Sequence, residues 1–393
     1  MTNYSLEQFN YELPEAFIAQ IPVEPRDSSK LLVFNQNKIS ETIFSNLLEV
    51  LPENATLIFN DAKVIPARIF LQNKNGAKIE LFLLQPFQQE YTASLNSTSE
   101  TIWECLIGNK KKWALTDSLN LNIDQTQIHF SIISDQVVKI KWNNGLSFIE
   151  ILTMIGSMPL PPYIKRNAIE NDTNRYQTVY SKTLGSVAAP TAGLHFTKQL
   201  IDKISEKSIP RLNVTLHVSA GTFLPVKTEN ITEHPMHHEF FSCNVSTIHS
   251  IIQSHEKLIA VGTTSIRVME SLYWVGFKII KKLDHPLDIE QFLWRQYSEE
   301  RELPSLQESY TAIKDYMQTN QLSVLSGQTS IMIMPGYQFK VIKGLVTNFH
   351  QPKSTLLFLV SALIGEDWKK IYQYAITNKF RFLSYGDSSL LLP

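Results

Sequence analysis

The sequence predicts a layered α/β domain that is interrupted by a small, barrel-like all-β domain. From about Lys78 to Trp142 the apolar residues alternate or form short runs, and helical periodicity is hard to find. Outside that segment, strand patterns alternate with helical patterns, which is typical of α/β proteins. We therefore assign residues 1–65 and 150–393 to a discontinuous α/β domain and residues 66–149 to an inserted β-barrel domain.

Strands of the insert are indicated by alternating or continuous apolar residues next to turn signals. We expect them at Lys78–Leu84, Gln127–Ile133 and Val137–Trp142.

Elements of the α/β domain follow from apolar spacing and from capping residues. We expect helices at Phe148–Ile155 before Gly156, after Thr197, at Ile248–His255, from Gly262–Ser265 onward, and after Ser354. The expected strands are the strictly alternating Leu212–Val218, the buried run Lys257–Val261, Ile331–Met334 and Gly344–Asn348. Tyr273–Ser326 combines helical stretches with many aromatic and charged residues, and we predict a helical excursion there.

Composition narrows the class of protein. The 393 residues are 43% hydrophobic and 19% charged, so the chain can bury a sizeable core and is not a disordered protein. Cys105 and Cys243 are the only cysteines in the sequence. This excludes a disulfide framework and a four-cysteine zinc site, and it is consistent with a reducing cytoplasm. The longest apolar stretch, Leu356–Ile364, is too short for a bilayer, so we expect no membrane segment.

The net charge of −1 provides no global field that would attract nucleic acid. RNA binding would therefore depend on local basic patches. The candidates are Lys110–Lys112, Lys165 with Arg166, and Lys340 with Lys343, although each alone is more often a solvated face.

Three polar turns follow strands of the predicted sheet: His217–Thr222, Gly262–Arg267 and Asn348–Thr355. Ligands of open α/β sheets bind beyond the carboxyl ends of the strands, and a helix start suits a phosphate or a carboxylate. Each turn alone is a weak signal, because a histidine near a strand end is more often structural. The three turns together predict one binding site.

A fourth cluster, His234–Glu239, contains three histidines and a carboxylate. These groups are zinc ligands, but Pro235 breaks the helical spacing and no second ligand pair is recognisable in the sequence. We therefore expect no metal. We expect Glu239 to accept a hydrogen bond from a ribose diol or an amine, with His237 beside it.

The stretch Gly185–Phe196 is small, apolar and rich in glycine and alanine. It predicts either a tightly packed turn or a close backbone approach to a ligand, with Phe196 available to stack on a base. The sequence has no G-x-G-x-x-G, Walker or G-x-S-x-G motif, which argues against dinucleotide, nucleoside triphosphate and α/β-hydrolase sites.

Blocks of residues along nearly the whole chain resemble one enzyme family. In order they are Pro25–Asp27 with Lys30–Val33, Phe59–Arg68, Met158–Arg166, Arg175–Tyr180, Gly185–Phe196, Leu216–Val218, Gly221–Phe223, His234 with Met236, His237 and Glu239, Val261–Arg267, Pro335–Gly336, Thr347–His350, and Arg381–Phe382 with Ser384–Asp387. The most specific block is Gly185–Phe196. The chain thus resembles the S-adenosylmethionine:tRNA ribosyltransferase-isomerases of queuosine biosynthesis.

The resemblance implies a two-domain cytoplasmic enzyme with no metal, whose α/β domain is catalytic, and we expect a monomer. It implies that S-adenosylmethionine is a co-substrate that donates its ribosyl group and not its methyl group. The acceptor would be tRNA carrying 7-aminomethyl-7-deazaguanine at the wobble position. Adenine and methionine would leave, and epoxyqueuosine would remain on the tRNA. The substrate amine would be the nucleophile, which fits the lack of a nucleophile motif in the protein.

Roles for individual residues follow from this resemblance and from the chemistry. The sulfonium acidifies the adjacent 5′ carbon, so the reaction needs a general base with a pKa near neutrality. We expect His217 or His350 to be that base, with His195 as the third candidate. Glu239 is a further catalytic candidate.

Binding residues are expected as follows. The S-adenosylmethionine candidates are Thr263, Thr264 and Arg267, which would hold the methionine carboxylate, together with Gly221, Thr222 and Asn348. The tRNA candidates are Arg68, Lys165, Arg166 and Lys353 for the anticodon-loop phosphates, and Phe196 for a base.

This sequence departs from the family pattern at Ser219, His238, Met332, Met334 and Gln351, and its Ser271–Ser326 segment is longer. Methionine in place of an aromatic residue would loosen a base-stacking surface. Two alternatives remain: a paralogue that applies the same sulfonium chemistry to another acceptor, and a non-catalytic RNA-binding relative. Release of adenine, and the acceptor that it requires, distinguishes these proteins.

Overall fold

The computed structural model describes residues 4–219, 226, 228–253, 257–298 and 302–393. Its strands are β1 (Lys30–Asn35), β2 (Lys38–Ile43), β3 (Ala55–Asn60), β4 (Ala62–Val64), β5 (Arg68–Gln72), β6 (Lys78–Pro86), β7 (Glu100–Gly108), β8 (Ser118–Ile123), β9 (Thr126–Ser134), β10 (Val137–Trp142), β11 (Gly156–Ser157), β12 (Thr183–Ser186), β13 (Arg211–Leu216), β14 (Glu239–Asn244), β15 (Lys257–Val261), β16 (Asp288–Ile289), β17 (Val324–Thr329), β18 (Gly344–Asn348) and β19 (Ser388–Leu392). Its α-helices are α1 (Leu47–Val50), α2 (Tyr91–Asn96), α3 (Phe148–Ile155), α4 (Asp172–Arg175), α5 (Lys198–Glu206), α6 (Val245–Gln253), α7 (Thr263–Lys281), α8 (Leu293–Gln296), α9 (Leu306–Thr319), α10 (Thr355–Ile364) and α11 (Asp367–Thr377).

A ten-stranded sheet has the order β16-β17-β14-β13-β3-β15-β18-β19-β1-β2. Within it, β13 pairs parallel with β3, β3 with β15, and β15 with β18. Every residue of β3 and of β18 is buried, as expected for parallel strands that are covered on both faces. The carboxyl ends of these four strands therefore lie at one edge of the sheet.

Helices cover both faces of this sheet. Alternate residues of β3 point into two different cores, as the two-residue period of a strand requires. Ile58 packs in a core that includes Ile266 of α7, whereas Leu57 and Phe59 pack in a core that includes Leu200 of α5. The layered α/β architecture that the sequence predicts is confirmed.

The helices predicted from caps are confirmed. Ser147 and Glu150 form a capping box at the start of α3, and Gly156 follows its end. The Thr197 side chain accepts a hydrogen bond from the main chain at the start of α5, and Ser354 does the same at the start of α10. α6 and α7 match the other two predicted helices, although His255 lies outside the described residues.

Most predicted strands are also confirmed. β6, β9, β10, β15 and β18 match their predicted segments, and β13 ends two residues earlier than expected, at Leu216. The strand predicted at Ile331–Met334 was wrong. There the Ile331 N–H donates to the Thr329 side chain (3.1 Å) and the Met332 N–H donates to the Gln291 carbonyl (3.0 Å), so loop partners replace a strand ladder.

The predicted helical excursion is mostly helical: it comprises the second half of α7, then α8 and α9, but it also contains β16 and the start of β17. α7 also anchors the loop that precedes β18. The buried Glu270 carboxylate accepts hydrogen bonds from the Tyr337 hydroxyl (2.7 Å) and from the main-chain N–H groups of Lys340, Val341 and Ile342 (3.0 Å each). Burial raises the pKa of Glu270, and these hydrogen bonds oppose that effect.

A second, seven-stranded sheet has the order β11-β5-β6-β7-β10-β9-β8. Its ladders are antiparallel, and it has its own core around Trp103, Phe130 and Phe148. No ladder between described residues joins β8 back to β11 or β5, so hydrogen bonding leaves this sheet open instead of closing it into a barrel. The sequence also missed α2, which lies between β6 and β7.

The two sheets meet beside the end of β13. The Tyr91 ring of α2 stacks on the His217 imidazole, with ring centroids 4.5 Å apart and planes at 12°. Gly185 has a φ of +133°, and a Cβ there would lie 2.8 Å from both Tyr91 Cδ1 and His217 Nδ1. Only glycine fits at this position, because it lacks a Cβ and tolerates positive φ.

We expect Gly276→Ala to destabilise the protein. Alanine normally favours a helix by about 1 kcal/mol over glycine. Here, however, the added Cβ would overlap the carbonyl oxygen and the hydroxyl of Ser309 at the start of α9. Overpacking of this kind costs about 1–3 kcal/mol. Urea denaturation of Gly276→Ala should show a lower midpoint than that of wild type. The control Ser250→Ala, on the exposed face of α6, should keep the wild-type midpoint. An unchanged midpoint for Gly276→Ala would contradict the packing of α7 against α9.

Candidate active site at the carboxyl edge of the parallel strands

Polar residues stand at the ends of the four parallel strands. Asn60 ends β3, His217 follows β13, Gly262 and α7 follow β15, and Asn348 ends β18. Since the four strands run in the same direction, the three turns singled out in the sequence lie along one edge of the sheet.

Asn60 joins two of these strand ends. Its side-chain oxygen accepts hydrogen bonds from the Leu216 N–H (3.0 Å) and the Ala62 N–H (3.1 Å), and its amide donates to the Leu216 carbonyl (3.2 Å). The Asn60 side chain is fully buried. Sequence reasoning did not single it out, because one asparagine after an apolar run has no distinguishing pattern.

His217 lies directly after Leu216 and is 9% exposed. Its main-chain N–H donates to the Phe240 carbonyl (2.9 Å), and its ring is held between Tyr91 and Gly185. Burial lowers the pKa of His217 to about 4. The buried Nδ1 atom has no hydrogen-bond partner among the described residues. His217 is therefore a neutral imidazole with one unused ring nitrogen.

His195 differs because both of its ring nitrogens are engaged. The Asn348 amide donates to the Leu383 carbonyl (3.1 Å) and to His195 Nε2 (3.1 Å). Nδ1 must then carry the proton and donate to the Ser29 hydroxyl (2.8 Å). Burial, reinforced by the charges of Arg381 and Arg26, lowers the pKa of His195 to about 3.

His350 is also buried and engaged. Its Nε2 atom is 2.8 Å from the Thr347 hydroxyl, and its main-chain N–H donates to the Tyr372 hydroxyl (3.0 Å). Its carbonyl accepts a hydrogen bond from Tyr11. Burial lowers the pKa of His350 to about 3.

A buried ion pair joins α7 to the start of β14. Arg267 Nη1 contacts Glu239 Oε2, and the other carboxylate oxygen accepts a hydrogen bond from the Ser219 N–H (3.0 Å). The two side chains are 7% and 2% exposed. Burial lowers the pKa of Arg267 to about 10. Arg267 Nε and Nη2 are buried and have no partner within the described ranges.

The Arg267–Glu239 pair forms part of a cleft. Other lining residues are Ser219, His234, His237, Met332 and Thr355. His237 thus lies in the same cleft as Glu239, as the sequence analysis expected. No group of three or more potential metal ligands occurs among the residues whose positions are described.

Two further S-adenosylmethionine candidates carry unused polar atoms. Thr264 Oγ1 and Asn348 Oδ1 are buried, and neither has a partner in the described structure. Thr263 is buried beside Thr264 at the start of α7. Gly221 and Thr222 lie outside the described residues.

Three tRNA candidates have other contacts. The Arg166 guanidinium donates two hydrogen bonds to Asp172 (2.6 and 2.8 Å), whose side chain is fully buried, so we now assign Arg166 a structural role. Arg68 pairs with Glu80 (3.2 Å) and lies over the Phe82 ring. Phe196 is fully buried and has no exposed face for a base, which corrects the stacking prediction.

Phe196 packs in the hydrophobic core instead. Its ring makes edge contacts with Phe44 and Phe59, each with ring centroids 5.0 Å apart.

The two remaining tRNA candidates, Lys165 and Lys353, form ion pairs with Glu15 and Glu7, respectively. Ion pairs of this exposed kind are weak, so both lysines remain candidates for phosphate binding.

Comparison with known proteins assigns the family. The model of a family described as queuosine biosynthesis protein matches residues 6–391. The chain belongs to this family. A protein of Halothermothrix orenii named S-adenosylmethionine:tRNA ribosyltransferase-isomerase is 38% identical over 402 residues, covering 98% of this chain and 99% of that one. A protein of Thermosipho melanesiensis with the same name is 38% identical over 401 residues, with the same coverage.

One solved structure is also similar to this chain. It is the crystal structure of S-adenosylmethionine tRNA ribosyltransferase from Thermotoga maritima, which is 26% identical and has a TM-score of 0.47 over 98% of this chain and 100% of that one. Within the described part of the chain, none of the helices combines the length and apolar character that crossing a bilayer requires.

We expect the three buried histidines to make the protein acid-labile. Their pKa values of about 3 to 4 lie below the ordinary value of 6.5, so the unfolded chain binds more protons between those limits. The stability they contribute is complete above pH 6.5 and is lost as the pH falls toward 3. In urea titrations, His350→Gln should reduce the pH dependence of the unfolding free energy by up to about 1.4 kcal/mol per pH unit. Identical slopes for variant and wild type would show that His350 is not buried in the neutral form.

We expect a double-mutant cycle to reveal the buried ion pair. Arg267→Met or Glu239→Gln alone leaves one buried charge unpaired, which costs about 3–5 kcal/mol. The double variant should recover part of that loss of unfolding free energy. The exposed pair Lys369–Glu366 is the control, since exposed pairs contribute about 0–1 kcal/mol. Additive effects at Arg267 and Glu239 would argue against a direct pair.

Proposed function

We propose that this chain is an S-adenosylmethionine:tRNA ribosyltransferase-isomerase. It transfers the ribosyl group of S-adenosylmethionine to 7-aminomethyl-7-deazaguanine in the tRNA anticodon, releases adenine and methionine, and leaves epoxyqueuosine on the tRNA. Relatives with this enzyme name are 35–38% identical over 98% of the chain, and the residue blocks recur in the family's order. The expectation of a cytoplasmic monomer follows from the resemblance alone.

The observation that carries this proposal is a set of buried polar atoms without partners along one edge of the sheet. They are His217 Nδ1, Thr264 Oγ1, Arg267 Nε and Nη2, and Asn348 Oδ1, all unpaired among described residues. Each buried group of this kind costs about 1–3 kcal/mol when it stays unpaired. A ligand with both donors and acceptors would offset that cost. S-adenosylmethionine fits, because it has a carboxylate, an ammonium group, ribose hydroxyls and an adenine.

Within this proposal, His217 is the first choice for the general base that takes the proton from the 5′ carbon. Its Nδ1 atom is unused, whereas His350 Nε2 contacts Thr347 and both nitrogens of His195 are engaged. Burial lowers the pKa of His217 to about 4, so it is neutral at pH 7 and can accept a proton, although this pKa is lower than the near-neutral value expected for the base. His195 then acts as a positioning group for Asn348.

Arg267 is proposed to bind the methionine carboxylate. Its Nη1 atom is taken by Glu239, and the remaining Nε and Nη2 edge can donate two parallel hydrogen bonds to a carboxylate. Glu239 fixes this orientation, and its carboxylate is the group that a ribose hydroxyl or the substrate amine would meet in the same cleft. Thr263, Thr264 and Asn348 are proposed to complete the pocket.

For the tRNA, we propose Lys165, Lys353 and Arg68 as phosphate contacts.

We also propose that residues 66–149 form an inserted domain. The second sheet has a core of its own, which supports that division, although Ile65, Ile151, Leu152 and Val187 outside this range also pack in it. A non-catalytic RNA-binding relative is disfavoured, because a protein that only binds RNA has no need for buried, unpaired groups such as those of His217 and Arg267.

Adenine release tests the proposed function. The wild-type protein, S-adenosylmethionine and tRNA carrying the aminomethyl precursor should yield free adenine, measured by chromatography, and none without that tRNA. Adenine release that requires a different acceptor would indicate a paralogue, and no adenine release would indicate a protein that only binds RNA.

We expect His217→Ala to lower adenine release by about 10²- to 10⁴-fold, the usual contribution of a general base. Its tRNA affinity should stay close to wild type, and a urea titration should show a folded protein with a somewhat lower midpoint, because the buried ring is lost. His129→Ala, at an exposed position in β9, is the matched control and should keep full turnover. An active His217→Ala variant would remove His217 from the mechanism and leave His350 as the candidate.

A further inference from the structure

Two arginines outside the candidate active site contact the segment of residues 21–26. Arg381 Nη1 donates to the Ile21 carbonyl (3.3 Å). Arg175, at the end of α4, pairs with Glu24 through Nε (3.0 Å). Both side chains remain partly exposed, at 30% and 26%. Their charges therefore face solvent beside this segment.

Arg26, at the end of the same segment, is a third cation. Its two terminal nitrogens donate to the main-chain carbonyls of Gln177 (2.7 Å) and Asn174 (2.6 Å). No carboxylate of the described residues lies within ion-pair distance of Arg26. Its pKa is lowered, mainly by burial, and the nearby positive charge of Arg175 contributes.

The carboxylates near this cluster neutralise the positive charge of its three arginines only in part. Glu24 is 64% exposed, so its pairing with Arg175 is open to competition from another anion. Asp387 already accepts hydrogen bonds from the main-chain N–H groups of Lys30 (3.1 Å) and Arg381 (2.8 Å). Its contact with the Arg381 side chain is long, at 3.5 Å. Arg175 and Arg381 thus each pair with one carboxylate, of which Glu24 is exposed, and Arg26 pairs with neither.

The cluster borders the candidate active site. Arg26 and Arg175 line a small pocket together with His195 and Tyr385. His195 is the residue that holds Asn348 at the carboxyl edge of the sheet. The charges of Arg381 and Arg26 help to lower the pKa of His195, which shows that positive potential extends to this point.

Arg26 also lines a second, larger groove. That groove includes Lys63, Val179 and Leu184, and the latter two present exposed apolar surface. Leu184 immediately precedes Gly185, which contacts His217. Arg26 therefore lines two neighbouring depressions, one that includes His195 and one that includes Leu184.

We propose that Arg26, Arg175 and Arg381 form a phosphodiester-binding site that holds the RNA backbone beside the reacting nucleotide. Guanidinium groups bind phosphate oxygens through paired hydrogen bonds, and backbone contacts set the register of a bound nucleic acid. The inference rests on the proposed function, because it takes tRNA as the substrate. It replaces Arg166, whose guanidinium is held by Asp172, as the main source of cationic contacts on this face.

The test measures tRNA affinity at several salt concentrations for the full chain and its variants. Arg26→Gln, Arg175→Gln and Arg381→Gln should each weaken binding and reduce the slope of log K against log salt by about 0.7–0.9 for each phosphate contact that is lost. The KM for tRNA should rise, while the KM for S-adenosylmethionine and the kcat should not change. Arg211→Gln is the matched control, because Arg211 is an exposed arginine at the opposite end of β13 and should behave as wild type.

Two further measurements keep failure of folding separate from loss of binding. Arg26→Lys keeps the charge, so it should retain the salt slope even if its affinity falls. Arg175→Gln loses only a contact to an exposed glutamate and should keep the wild-type urea midpoint. Folded variants with wild-type affinity and slope would overturn the phosphate site, as would a rise in the KM for S-adenosylmethionine in place of the KM for tRNA.

The outcome is distinguishable from a failure of the proposed function. Wild-type adenine release with unchanged salt slopes in the variants rejects the phosphate site alone. Reduced salt slopes without any adenine release by the wild type reject the proposed function and leave an RNA-binding site.

Discussion

The parallel alignment of β13, β3, β15 and β18 is the constraint on which the candidate site depends. Because the four strands point the same way, groups from distant parts of the chain reach one edge of the sheet. The register is set by the hydrophobic pattern, since a one-residue slip of β3 would exchange Ile58 with Leu57 and Phe59 between two separate cores. Asn60 then binds the Leu216 main chain through both its donor and its acceptor, which transmits that register to His217.

α7 connects this edge to the rest of the fold. Arg267 lies one turn into the helix and reaches Glu239 of β14. One turn further, Glu270 binds the loop of residues 337–342, which leads into β18. Residues three apart lie on neighbouring positions of a helix surface, so one rigid element sets the positions of an ion pair and of a strand entrance. Rigid support of this kind is what a site needs when its polar groups are buried before a ligand arrives.

The sequence was informative where a local pattern determines the structure. The alternation of β13 and the caps Ser147, Thr197 and Ser354 predict their elements correctly, because each signal is contained within a few residues. Ile331–Met334 has the same apolar run as a strand, yet its backbone is satisfied by Gln291 and Thr329, which no local pattern indicates. Hydrogen bonds to distant residues therefore determine the structure of this segment.

The sequence predicted where the candidate site lies better than it predicted the contacts of each side chain in it. Glycine-containing turns after strands indicated the right edge, but the partners of each side chain depend on residues far away in sequence. Phe196 illustrates this, since Phe44 and Phe59 enclose its ring. The Arg26 cluster was not predicted for the same reason: its members are hundreds of residues apart at most, and no spacing rule relates them. Arg166 differs, because its partner Asp172 is only six residues away, yet no local pattern indicates that pair.

The three histidines show how packing assigns different roles to similar sequence signals. His195 and His350 are each bound by a neighbouring hydroxyl group, whereas His217 is held mainly by ring stacking and shape. Stacking on Tyr91 fixes the plane of the imidazole without occupying its nitrogens, and Gly185 leaves room for that ring. Tyr91 belongs to α2, which lies between β6 and β7 of the second sheet, so this part of the chain takes part in orienting His217. Replacement of that sheet would therefore alter the surroundings of His217, even though most of the sheet packs in a core of its own.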